Sequence, residues 1–226
     1  MAAGEGRRLR PVTERWAKAV LPIDGRPVVA ALLRELVEAG SERAWLVTGH
    51  LAHQVEALVG DGAAFGIDVR YVRQPGPLGS ADAVARALRA GAELPALVSA
   101  ADTLFRSGDV GLFAGRFGET RADGAIAVRR IPPPGPGRAA VRSRDGLVDQ
   151  VQDDDPANPL SGAPLWALAA PVADWLCRDR EPFELSNTFQ AAVDAGARIA
   201  AIEIGKTRDL TDPLDLVEEN FAYLTA

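Results

Sequence analysis

The first eighteen residues, M-A-A-G-E-G-R-R-L-R-P-V-T-E-R-W-A-K, crowd two glycines (Gly4, Gly6), paired arginines (Arg7, Arg8) and Lys18 into one short segment. Glycine lets a backbone turn tightly and bring its N–H groups against an anion. Arginine and lysine add a planar guanidinium and a compact, mobile ammonium beside it. That chemistry suits a triphosphate or a pyrophosphate. Lysine is scarce in this chain: of its 25 basic residues only Lys18 and Lys206 are lysines.

One further residue could work with such a loop. In P-A-L-V-S-A-A-D-T an apolar run ends on Asp102. A carboxylate at the carboxyl end of a parallel strand points into the crevice where α/β sheets bind ligands. Gln74 and Gly79 stand in Q-P-G-P-L-G, which by itself reads as a turn before a helix.

In order along the chain, these segments resemble the sugar-phosphate nucleotidylyltransferases. The opening is similar to L-A-A-G-x-G-T-R-L-x-P-L-T-x-x-x-P-K, with Ala2, Ala3, Gly4, Gly6, Arg8, Leu9, Pro11, Thr13 and Lys18 in register. Arg7 replaces the family threonine and Ala17 the proline before the lysine. The stretch ending Q-P-G-P-L-G-S-A resembles Q-x-x-P-L-G-T-A, and S-A-A-D stands where the family has N-G-D. R-D-L-T-D-P, Arg208–Pro213, resembles W-x-D-I-G-T-P.

The resemblance implies a Rossmann-like three-layer α/β/α fold with a mostly parallel central sheet. It also implies one nucleotidyltransferase domain, residues 1–120 binding the nucleotide and 121–226 the sugar phosphate. The implied reaction is Mg²⁺-dependent attack of a sugar-1-phosphate on the α-phosphate of a nucleoside triphosphate, releasing pyrophosphate. Ala2, Ala3, Gly4 and Gly6 would cradle phosphates, Arg8 would steady the departing pyrophosphate, and Lys18 would bridge the α-phosphate and sugar phosphate. Gln74 and Gly79 would bind the base, and Asp102 and Asp209 the metal. The family E-K-P motif has its nearest match in Gln152-Asp153-Asp154-Asp155-Pro156, which makes Asp153 the expected sugar contact and leaves the lysine missing. Ser161-Gly162 corresponds to a family A-G whose backbone lines the sugar pocket, and Arg129, Arg130 or Arg138 could replace the lost charge.

The lost lysine and the altered N-G-D also fit another class, a non-catalytic relative that binds nucleotide or nucleotide-sugar as a sensor or regulatory subunit. A dinucleotide-dependent oxidoreductase fits less well, because Leu9 stands where G-x-G-x-x-G needs its third glycine. His50 and His53 are three apart, but no cysteine or third histidine supports a zinc site.

The elements that must position these residues are readable. Pro27 opens an amphipathic helix with Val28, Val29, Leu32, Leu33, Leu36 and Val37, ended by Gly40. A strand follows at 44–48, a helix at 51–59, a strand at 67–72, a helix capped by Ser80 running to 90, and a strand at 94–101. This alternation predicts βαβ units. Beyond 122 come short strands at 124–129, 139–142 and 147–151, then helices at 172–177 and 186–195, a strand at 199–204 and a last helix from Pro213 to Leu224. The run I-P-P-P-G-P-G-R, Ile131–Arg138, reads as a stiff insertion. A phosphate loop is normally fed by a strand, of which Met1 would be the last residue, so either the N-terminal strand is missing from the sheet or it is truncated and the true start lies upstream.

The 226 residues are 47% hydrophobic and 25% charged, with a net charge of −6, which argues against a nucleic-acid partner. No apolar run reaches membrane-spanning length. The single Cys177 is expected in the core and cannot form an internal disulfide, so a reducing cytoplasm is expected. Monomer and homo-oligomer are equally compatible with this composition.

Overall fold

A computed structural model of the protein describes residues 1–130, 140–178 and 180–221. The Pro-rich run Ile131–Arg138 and the end of the last expected helix lie outside the described residues. Along the chain the elements are β1 (Pro22–Ile23), β2 (Arg26–Pro27), α1 (Val28–Glu38), β3 (Arg43–Thr48), α2 (Ala52–Val59), β4 (Asp68–Arg73) and α3 (Ser80–Arg89). Then follow β5 (Ala96–Ser99), β6 (Thr103–Leu104), α4 (Asp109–Glu119), β7 (Gly124–Arg130), β8 (Val141–Arg144) and β9 (Leu147–Val151). The remainder comprises β10 (Leu160–Leu168), α5 (Ala170–Ala173), α6 (Leu185–Asp194), β11 (Ile199–Glu203), β12 (Arg208–Asp209) and α7 (Pro213–Glu218).

The chain divides into two compact units that are discontinuous in sequence, unlike the halves meeting near residue 120 that were expected. One comprises Met1–Pro77, Ala100–Gly108 and Thr207–Ala226, the other Leu78–Ser99 and Asp109–Lys206.

In the first unit β3 and β4 pair in parallel from Arg43↔Asp68 to Thr48↔Arg73. Residues at the very start extend this pairing: Ala2 bridges Thr48 in parallel, its N–H donates to the Val47 carbonyl at 2.7 Å, and the Ala101 N–H donates to the Met1 carbonyl at 2.8 Å. Where the feeding strand would run there is thus one isolated bridge and no strand among the described residues. Helix α1 buries Val28, Val29, Ala30, Leu32 and Leu33, the face its periodicity announced.

In the second unit a six-stranded sheet has the order β5-β10-β7-β11-β9-β8. β7 and β11 pair in parallel; β10 runs antiparallel between β5 and β7, and β9 antiparallel to β11 and β8. β5, β7, β11 and β8 therefore point one way, with β10 and β9 against them. The nine-residue β10 is the element the sequence concealed. Its L-S-G-A-P-L-W-A-L contains Gly162 and Pro164, both poor in strand interiors. The pairing with β7 shifts register between Gly162 and Trp166, so the proline sits in an irregularity where no ladder donor is required.

Ser80 is not the cap of α3. Gly79 holds the N-cap position with no side-chain cap, while the Ser80 hydroxyl donates to Glu184 Oε2 at 2.5 Å and accepts from the Leu185 N–H at 2.8 Å. Cys177 is half-buried in a groove with Trp175, Phe183 and Asn187 and not in the core; partial burial raises its thiol above the ordinary value.

Candidate active site

The first unit gathers the basic loop and both candidate metal ligands. The loop begins where Ala3 accepts a hydrogen bond from the His50 N–H at 3.3 Å. It turns at Gly6, φ +62°, whose carbonyl accepts from the Thr13 hydroxyl at 2.8 Å and from the Leu9 N–H at 2.9 Å. A Cβ on Gly6 would lie 2.8 Å from a Thr13 methyl, so glycine is required both by φ and by this internal contact. Gly4 differs: a Cβ there would meet no protein atom within 4 Å, and packing gives no reason for its lack of a side chain.

Leu9, 1% exposed, pins the loop into a cluster with Leu21, Ile23, Val28 and Leu210. Leu210 follows Asp209 directly. One apolar cluster therefore fixes both the loop and the strand carrying the second carboxylate. Arg7 and Arg10 both reach Glu5, at 2.8 and 3.5 Å, whereas the exposed Arg8 forms no ion pair among the described residues.

Lys18 opens a short 3-10 turn, and its Nζ lies 2.5 Å from Asp102 Oδ2. β6 pairs antiparallel with β12 in the register Asp209↔Thr103, which places Asp209 across from the residue that follows Asp102. Asp209 accepts the Thr103 hydroxyl on Oδ1 at 2.5 Å and the Thr207 hydroxyl on Oδ2 at 3.2 Å. The two aspartates, 107 positions apart in the chain, are thus brought to adjacent positions of the β6–β12 pairing, Asp102 standing in the turn that leads into β6. Both offer hard, anionic oxygen, the donor type that suits Mg²⁺ completed by phosphate oxygens and water.

Arg208 positions Asp209 from the other side. Its guanidinium forks onto Asp24, at 2.5 and 2.9 Å, and also contacts the Glu219 carboxylate and carbonyl. This ties β12 to the β1–β2 turn and to α7. The hydrogen bond from Arg208 holds the Asp24 carboxyl below its ordinary value of 3.8. A carboxyl depressed in the fold adds stability above its unfolded pKa and loses it as pH falls through the folded value. Arg208→Met is expected to lower stability by about 1 kcal/mol at pH 7, the scale of a partly exposed charge-assisted fork. In urea titrations its gap to the wild type should narrow as pH falls below about 4. A gap unchanged down to pH 3 would show that Asp24 contributes nothing through this pair.

Three residues of this site carried no recognised signal. Gly49 allows close approach: a Cβ would lie 2.5 Å from the Ala3 carbonyl oxygen and 2.8 Å from the Ala3 Cβ. His50, whose metal role the sequence did not support, places its Nε2 2.7 Å from the Thr13 carbonyl. Gln54, on α2, bonds backbone on both sides of Trp16. Their partners are 37 to 46 residues distant, beyond the reach of local pattern. The buried Gln74 donates its N–H to the Thr48 carbonyl at 2.8 Å, at the end of β4.

The remaining expected residues belong to the second unit. Gly79 has φ +98°, and a Cβ there would lie 2.2 Å from the Phe183 carbonyl oxygen, so the close approach it permits is to the protein's own backbone. Asp153 does not present a free carboxylate to a sugar. It is 8% exposed, accepts from Asn158 Nδ2 at 2.8 Å on Oδ2, and has Arg142 3.6 Å from Oδ1. Burial demands such partners, and here they tie the loop after β9 together. The Gly162 carbonyl accepts from Arg129 Nη2 at 3.1 Å, Arg130 pairs with Glu203 at 3.1 Å, and Arg138 lies outside the described residues.

A glucose-1-phosphate thymidylyltransferase of Streptomyces griseus is 30% identical over 232 residues, covering 97% of this chain and 64% of its own. A mannose-1-phosphate guanylyltransferase of Mycobacterium tuberculosis is 28% identical over 221 residues, covering 96% of this chain and 61% of its own. The chain therefore spans less than two thirds of either relative. A crystal structure of UDP-glucose pyrophosphorylase with UDP-glucose superposes with a TM-score of 0.84 over 99% of this chain and 96% of that one, at 20% identity, a likeness of fold. The Nucleotidyl transferase family model matches residues 1–135, across the glycine loop, Lys18, Gln74, Gly79 and Asp102, and the chain belongs to that family.

Proposed function

We propose that this chain catalyses Mg²⁺-dependent transfer of a nucleotidyl group from a nucleoside triphosphate to a sugar-1-phosphate, giving a nucleoside diphosphate sugar and pyrophosphate. The observation that carries it is the convergence of Lys18 and Asp102, with Asp209 on the adjoining strand, beside a loop pinned by Leu9. Phosphoryl chemistry of this kind depends mainly on positioning and on neutralising charge.

In that reading the amides of residues 2–6 face the phosphates, and the absence of any packing reason for Gly4 supports close approach there. Arg8, exposed and outside the Glu5 pairs, steadies the leaving pyrophosphate. Lys18 exchanges Asp102 for phosphate oxygens when substrate binds, bridging donor and acceptor. Asp102 and Asp209 would hold the metal, which when bound neutralises phosphate charge. Gln74 contributes to the base site. A cytoplasmic setting accords with the single cysteine; among the described residues no helix is long and apolar enough to cross a membrane.

Pyrophosphate release measured across UTP, dTTP, CTP, GTP and ATP, each with several sugar-1-phosphates, tests the proposal. Release that needs both substrates and Mg²⁺ is the expected result. Nucleotide binding by folded protein, without release for any pair, would instead support the sensor reading, which the lost E-K lysine favours.

A further inference from the structure

The family signature places a proline before its lysine, and this chain has Ala17 there. The substitution has two physical consequences: the backbone loses a ring that fixes φ, and it gains an N–H that needs an acceptor. Ala17 is 2% exposed, so the new donor is taken from water. Gln54 answers both. Its Oε1 accepts the Ala17 N–H at 2.7 Å, and its Nε2 donates to the Arg15 carbonyl at 2.7 Å. A single planar amide thus grips the chain on either side of Trp16, one residue before Lys18.

The grip is anchored. Gln54 lies in the first turn of α2, which is seated through Ala52, Val55 and Val59, each at most 3% exposed. The held backbone retains the φ that proline would impose: at Ala17 it is −61°, within the range a pyrrolidine ring fixes. From that fixed point the 3-10 turn begins and Lys18 reaches Asp102.

We propose that Gln54 is a positioning residue for Lys18, holding by two hydrogen bonds the backbone that a proline at position 17 would hold by its ring. The inference rests on the nucleotidyl-transfer reading for its kinetic consequence, though not for its structural one. Gln54→Leu, similar in size but unable to bond, should leave the fold intact and let residues 15–18 move. Misplacement of a bridging charge by about 1 Å can cost about 100-fold in rate, so a fall in kcat of about 10- to 100-fold is expected. Ala17→Pro in the Gln54→Leu background should recover most of that loss, because the proline restores φ and removes the orphaned donor. A merely stabilising side chain would show no such rescue.

The experiment compares wild type, Gln54→Leu, Ala17→Pro and the double variant by pyrophosphate release, thermal midpoint and hydrogen–deuterium exchange of the peptide spanning residues 15–18. Faster exchange confined to that peptide in Gln54→Leu, slowed again in the double variant with recovery of kcat, is the expected pattern. Wild-type turnover matched by Gln54→Leu, or a loss that follows the thermal midpoint and is not relieved by proline, overturns the role of Gln54. If the wild type itself releases no pyrophosphate, the proposed reaction falls, and the exchange measurement alone decides the inference: unchanged exchange in Gln54→Leu refutes it.

Discussion

Asp102→Ala is expected to abolish Mg²⁺-dependent pyrophosphate release, by about 10³-fold or more, in a protein that remains folded. The expectation follows from where the carboxylate stands. It is partly exposed, next in sequence to the Thr103 that opposes Asp209, and within 2.5 Å of the Lys18 ammonium. Losing one preorganised electrostatic partner typically costs about 10²–10³-fold, and a metal ligand removes the ion's contribution as well. Asp209→Ala should match it, with Thr103 and Thr207 left without their shared acceptor. Lys18→Met separates the two kinds of charge. It should also lose turnover, yet bind Mn²⁺ more tightly in the absence of substrate, because the ammonium that competes with the metal for Asp102 has gone. Mn²⁺ binding followed by electron paramagnetic resonance reads this without any reaction. Full turnover by Asp102→Ala would remove the metal assignment, and unchanged Mn²⁺ affinity in Lys18→Met would show that the lysine and the metal do not compete for Asp102.

What could be read from the sequence was what is written locally. The loop from Gly4 to Lys18, the helix after Pro27 and the apolar run before Asp102 each carry their own signal within a few residues; the helix and the run form where that signal put them, though the run, as β5, pairs antiparallel with β10 and not in parallel as expected. What could not be read depends on partners distant in the chain. Asp153 resembled a sugar contact because its neighbours matched a motif, but Asn158 and Arg142 take up its carboxylate. Gly49 is an unremarkable turn glycine until Ala3 is seen to lie against it. Strand β10 hid behind Pro164, acceptable only because the pairing with β7 is irregular there. Ala17 stands in the sequence only as a departure from the signature; with Gln54 in view it is one half of a compensated pair.

The largest stability effect is expected at Gly79, where the sequence suggested backbone approach by a nucleobase. Its φ of 98° and ψ of 169° lie in a region that side chains scarcely enter. A Cβ would also fall 2.2 Å from the Phe183 carbonyl oxygen and 2.7 Å from the Phe183 nitrogen, both backbone atoms that cannot swing aside. The surrounding bonds leave little freedom to retreat: the Phe183 N–H donates to the Leu78 carbonyl at 2.8 Å, and the Phe183 carbonyl accepts from Ala81 at 2.7 Å. Backbone strain of about 1–3 kcal/mol plus displacement of this junction gives an expected loss of about 3 kcal/mol or more for Gly79→Ala. For a chain of this length that lowers the thermal midpoint by about 6–12 °C. Gly76→Ala is the control, since a Cβ there would meet nothing within 4 Å and its φ is not positive; it should shift the midpoint by little. Should Gly79→Ala prove as stable as Gly76→Ala while its affinity for nucleotide falls, Phe183 can give way after all. The reason for a glycine at 79 would then be the ligand that the Q-P-G-P-L-G motif first suggested, and not the fold.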